Sequence, residues 1–239
     1  MKTNYFNSSV IKPLVKASAQ NAAFVDGDIL FDWTGFEIPR GTVKLLGATI
    51  KIRSKGNAAS DVQAGGVDLL FAKAPSPDAT PTTLGTLNGK VTNFASTDIV
   101  GAMPCGANDT FGKRTLYQST VSSSELVLEP NVNSGGNVGV DKYYVAGLAA
   151  AALDFTTTCN VDGVQATNQA VLTVQTVDPR LFLAAGDVVH DQDNRSMGTI
   201  ASIANATTIT MAANLATTTV DEKNIYNINP VEIILHFSK

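Results

Sequence analysis

Residues 65–73 read Gly-Gly-Val-Asp-Leu-Leu-Phe-Ala-Lys. Two glycines open the run, an apolar stretch follows, and Ala-Pro-Ser-Pro-Asp at 74–78 closes it. A short apolar run bounded by turn residues is the pattern of a buried strand in an all-β domain. Upstream, residues 42–53 read Thr-Val-Lys-Leu-Leu-Gly-Ala-Thr-Ile-Lys-Ile-Arg, with apolar and polar side chains alternating toward the end. We expect the two runs to be neighbouring strands across the Gly/Asn/Ser loop at 54–66.

The same pattern extends in both directions. Residues 10–15 form either an edge strand interrupted by Pro13 or part of an extended arm over 1–22 that orders on a partner. Residues 22–33 carry a turn signal at Asp26-Gly27 between two apolar halves. After the central run, Pro75, Pro77, Pro81, Gly85, Asn88 and Gly89 are turn chemistry. Residues 91–94 and 98–103 are short strands or a helical turn. Residues 104–114 read as a loop, 124–128 as a modest strand and 130–139 as an Asn/Gly-rich loop. Tyr-Tyr-Val-Ala-Gly at 143–147 opens a convincing strand that runs into Ala149–Ala152. Residues 169–177 alternate with strong β composition and end before Pro179.

A compact group of short strands follows, at 181–189 with a turn at Gly186-Asp187, at 198–203 and at 207–211. Val-Glu-Ile-Ile-Leu-His-Phe at 231–237 is a strong strand with Pro230 placed just before it. We therefore expect a main β-sandwich over 1–177 plus 229–239, and a small barrel-like β module over 178–228 inserted into it.

At 239 residues the chain can bury a sizeable core, and 44% apolar residues argue for a folded globule. Charged residues are only 16% and the net charge is −4, so neither a nucleic-acid footprint nor a basic membrane patch is visible. A surface of short polar side chains suits contact with other protein, because few long side chains are immobilised. Residues 1–9 have no apolar signal core, and no apolar run approaches a membrane helix. Cys105 and Cys159 lack metal-ligand spacing and read as two free, half-buried thiols rather than a disulfide.

Little in the chain points to catalysis. There are two histidines, His190 and His236, and no Gly-x-Ser-x-Gly elbow or phosphate-binding loop accompanies them. No carboxylate pair stands out, so no catalytic residue, cofactor or enzyme activity is expected. The sharpest polar cluster is Asp187, His190, Asp191, Asp193 and Asn194. Asp187, Asp191 and Asp193 form a weak calcium candidate, because closely spaced oxygen ligands can hold that ion, although a solvated hairpin loop explains them better. Trp33, Tyr143 and Tyr144 are either a sugar-binding platform or core residues, the commoner fate.

Residues 186–215 place a Gly-Asp-Val strand, a Gly-Thr-Ile strand and a Thr-Thr-Ile-Thr-Met strand in succession. This resembles a module of tailed-bacteriophage structural proteins. The first half, with Gly27-Asp28, residues 41–53 and residues 67–75, resembles phage head-associated proteins of jelly-roll type. The resemblance implies a jelly-roll-like antiparallel sandwich and a virion protein on the capsid surface, of the decoration or cement kind. It implies the major capsid protein as partner, a homo-oligomer with a trimer favoured, and no nucleic-acid or membrane partner. A tail, baseplate or fibre component is the alternative. No functional residue carries over, since such families are defined by their surfaces.

Overall fold

The computed structural model describes residues 6–57, 63, 65–76, 79–93, 98–106, 108–111, 114–120, 126–131 and 139–239. Most of the Asn/Gly-rich stretch at 130–139, and residues 1–5 of the expected arm, lie outside the described residues. The strands are β1 (Phe6–Ile11), β2 (Ile29–Pro39), β3 (Val43–Arg53), β4 (Val67–Lys73), β5 (Ile99–Cys105), β6 (Asn108–Phe111), β7 (Arg114–Thr120), β8 (Leu126–Leu128) and β9 (Val140–Ala149). They continue with β10 (Asn160–Val161), β11 (Val171–Gln175), β12 (Val188–Asp191), β13 (Ser196–Ile203), β14 (Thr208–Met211), β15 (Ile225–Asn227) and β16 (Val231–Ser238).

Two antiparallel sheets make the sandwich. In the first, β16 lies between β1 and β3, and both β8 and the β6–β7 hairpin follow along the other edge of β3. In the second the order is β2-β9-β4-β5. With the β6–β7 hairpin set aside, the eight strands form β1-β16-β3-β8 facing β2-β9-β4-β5, which is the strand order of a jelly roll. The chain therefore crosses between sheets from β3 to β4. The two runs expected as neighbours do not pair: they face each other across the core, and β4 pairs β9 and β5 instead. The loop expected over 104–114 is also largely strand, since it holds the end of β5, all of β6 and the start of β7.

Burial explains the patterns. Along β3 and β16 alternate residues are buried, so Val43, Leu45, Ile50, Ile52, Val231, Ile233, Leu235 and Phe237 point inward from the first sheet. The second sheet supplies Phe31, Phe36, Ile38, Val67, Leu69, Phe71, Tyr143 and Val145. Phe36 joins the layers: its ring lies 6.3 Å from Phe71, 6.2 Å from Tyr143 and 6.2 Å from Phe237. Gly147 is required where β9 passes Phe31, because a Cβ there would sit 2.2 Å from the ring.

β4 is apolar on both faces because the second sheet is covered on its outer side as well. Leu84, Leu87 and Val91 pack over Trp33, Leu70, Ala72 and Tyr144. The Trp33 Nε1–H donates to Thr82 O at 2.9 Å, and the Tyr144 hydroxyl donates to Ala79 O at 3.0 Å.

The remaining strands form a separate six-stranded sheet in the order β10-β11-β14-β13-β12-β15. A bridge between Asn160 and Asn224, with Val161 N donating to Lys223 O and Ile225 N to Cys159 O, brings its two edges together into a nearly closed barrel. Its core, including Val161, Leu172, Val189, Met197, Ile209 and Ile225, is its own. The barrel hangs in the connection between β9 and β16, and β16 returns to the first sheet. Sheet membership moves the boundary expected at 178: β10 and β11, read as part of the sandwich, pair within the barrel. The local pattern of β11 is that of any half-buried strand, and only its partner β14 shows where it belongs.

Candidate functional site

The three aspartates of the calcium candidate are not brought together. Asp187 sits in the β11–β12 connection at the seam between barrel and sandwich, where Arg53 Nη2 donates to its Oδ1 at 2.7 Å and Ala184 N to its Oδ2 at 2.8 Å. Asp191 is fully buried at the end of β12 and accepts from the backbone N–H of Asp193 and Arg195. The Arg195 guanidinium pairs with Asp191 at 2.5 Å. Asp193 is half exposed and pairs with Lys223 at 3.0 Å. Each carboxylate thus has a cation beside it, Arg195 also lying 3.8 Å from Asp193, and among the described residues no group of three or more His, Cys, Asp or Glu is placed to share a metal ion. The solvated loop fits only Asp193; Asp187 and Asp191 are structural ion pairs.

The remaining chemistry is equally confined. Burial pushes the His190 imidazole below the usual histidine range, against the opposing pull of a backbone hydrogen bond at Asn194 and the Asp191 charge. His236 is exposed on β16 with its Nε2 3.1 Å from Thr49 Oγ1. Cys105 and Cys159 are fully buried, rather than half-buried, and form no disulfide, one lying in the sandwich core and one in the barrel core. Burial, with the Asp178 charge, pushes the Cys159 thiol up to about 12, which leaves it protonated and unreactive. Trp33, Tyr143 and Tyr144 are core residues, at 9%, 0% and 3% exposure.

What the molecule offers outward is surface. Among the described residues the outer face of the first sheet is open, in contrast to that of the second. Strand register arranges it in rows across β1, β16, β3 and their neighbours. One row is Lys12, Glu232, Lys51 and Leu116; the next is Val10, Ile234 and Thr49; Ser8 and His236 follow, then Ser238, Lys44 and Val127. Leu46 stands beside them at the bulge between His236 and Phe237. Val10 is 58% exposed and Val127 41%. Lys51 Nζ donates to Glu232 Oε1 at 2.7 Å, which holds the Glu232 carboxyl below the usual carboxylate range. The exposed apolar side chains Val10, Leu46 and Val127 are interspersed on this face with lysines, Glu232, Thr49 and His236. The face ends in a notch of about 110 Å³ between sheet and barrel, lined by Lys12, Lys51, Arg53, Asp187 and Glu232.

A second concavity, about 690 Å³ and open, lies over the edge of β2. Leu14, Lys16, Asp32, Trp33, Thr34 and Leu87 are among its walls. Asp32 Oδ1 accepts from Trp33 N and Leu84 N, fixing the wall that carries the indole. Sequence reasoning singled out Trp33 but not the groove, which is assembled from three separate stretches of chain. Compared with known proteins, the chain matches no family model, no curated protein and no solved structure.

Proposed function

We propose that this chain is a non-enzymatic structural protein of a bacteriophage virion that binds the outer surface of the capsid and stabilises it. The observation that carries the reading is the outer face of the first sheet, which among the described residues is open and presents Val10, Leu46, Ile234 and Val127 among lysines, Glu232 and His236. The jelly-roll strand order and the sequence resemblance to phage head-associated proteins support it, as does a surface of short polar side chains. A protein that attaches at many equivalent lattice sites needs only modest contacts at each, since neighbouring attachments add in avidity. Fold alone does not assign function, so the test is direct. Immunogold labelling of intact virions is expected to decorate the head evenly, and purified protein is expected to rebind stripped capsids at a fixed ratio to the shell subunit. Failure to bind any capsid form overturns the proposal.

The groove beside Trp33 favours a second reading, a tail, baseplate or fibre component that contacts the host. Its volume and its combination of hydroxyl, carboxylate and ammonium groups suit a small polar ligand. Label confined to the tail would establish this reading in place of the first.

A further inference from the structure

The charge of the chain is unevenly divided. Residues 160–227, the barrel, carry seven acidic and three basic side chains, a balance equal to the whole chain's −4; the remainder holds fourteen of each. The barrel's acidity is concentrated where the turn after β10 meets the segment before β15. There Gly163 N donates to Asp221 Oδ1 at 2.7 Å and Glu222 N to Val161 O at 3.0 Å, so the two segments form one rim. Asp162, Asp221 and Glu222 are exposed on it, and among the described residues no cation lies within ion-pair distance of them. Val164 and Val220 stand among these acids at 68% and 38% exposure.

The open face of the first sheet is the counterpart. Among the described residues it presents Lys12 and Lys51 around one acid, Glu232, interleaved with Val10, Ile234 and Val127. We propose that the barrel rim of one copy of this chain docks on the open sheet face of a second copy, valines on the apolar row and acids toward the lysines. Opposite charge gives the contact its register, and apolar burial gives it affinity. The two surfaces are different, so the contact is head-to-tail: it leaves one rim and one face free in any dimer and closes only in a ring. The inference concerns copies of the chain alone, and a copy docked there occupies the face that capsid binding would use, so the two contacts exclude each other on any one face.

The experiment is sedimentation velocity on the full chain over a concentration series at about 50 mM and about 500 mM sodium chloride. Self-association is expected at low salt and weakened at high salt, because the charged pairs lie in solvent. Lys51→Glu and Glu222→Lys are each expected to weaken association about tenfold, the effect of placing like charges in contact. Circular dichroism controls for folding. An equimolar mixture of the two variants is expected to form a one-to-one complex, since one retains an intact rim and the other an intact face. A chain that stays monomeric throughout, association indifferent to both substitutions, or a loss that mixing does not restore overturns the proposal.

Discussion

Replacing Phe36 with alanine tests whether the two sheets are held by one aromatic junction. Phe36 is 4% exposed and lies on β2, yet its ring stacks at 18° on Phe237 of the opposite sheet and meets Phe71 edge-on at 82°. Removing a buried phenylalanine ring costs about 3–5 kcal/mol, from lost transfer energy and the cavity left behind. Three ring contacts put Phe36 at the upper end, since each favourable aromatic pair adds about 0.5–1.5 kcal/mol beyond area alone. For a chain of this size each kcal/mol lowers Tm by about 2–4 °C, so Phe36→Ala is expected to lose at least about 8 °C. Phe36→Leu keeps most of the volume and is expected to lose less than half as much. Calorimetry at pH 7 reads both. A loss below about 1 kcal/mol for Phe36→Ala would refute the reasoning, because it would mean the sheets are not packed through this ring.

Three further expectations follow from the ion pairs and thiols. Asp191→Asn removes the charge facing Arg195 inside the barrel and is expected to cost about 3 kcal/mol, while excess calcium leaves the parent's melting point unchanged; a calcium-dependent rise would show the carboxylates exchanging their cations for the ion. Glu232 has its carboxyl lowered by Lys51, so its stabilisation is full above the unfolded value of about 4.3 and is lost as pH falls through the lower folded value. Glu232→Gln should therefore be less stable than the parent at pH 7 and equal to it at the acid end, whereas a gap independent of pH would contradict the assignment. Cys105 and Cys159, both fully buried, should resist a thiol reagent in the native protein and react together on unfolding; fast native labelling of either would place it outside its core.

The strands were legible where burial is one-sided. β3 and β16 alternate because one face meets the core and the other water, and the pairing of β16 with β1 and β3 is what returns it to the sandwich. Pairing was not legible. β3 and β4 are adjacent in sequence and joined by a polar loop, but a jelly roll sends such neighbours to opposite sheets, and nothing in either strand alone encodes its partner. β10 is two residues long and carries no periodicity, so only the pairing of Asn160 with Asn224 marks the barrel's start. The aspartate cluster was legible as residues but not as chemistry. Arg53, which neutralises Asp187, lies on β3 far away in the chain, and spacing carries no trace of it.

The place of β16 bears on the order of events during synthesis. Among the described residues β1 pairs only with β16, and β3 has β16 along one whole edge, yet between β9 and β16 the ribosome must make the entire barrel. The barrel's strands all lie within one continuous stretch, so it can complete its own sheet as it emerges. The sandwich, begun earlier, must wait with a slot open between β1 and β3 until β16 arrives to fill it. In the nascent chain the part begun first is therefore finished last, and the exposed edges of that slot are the hazard a chaperone would have to guard.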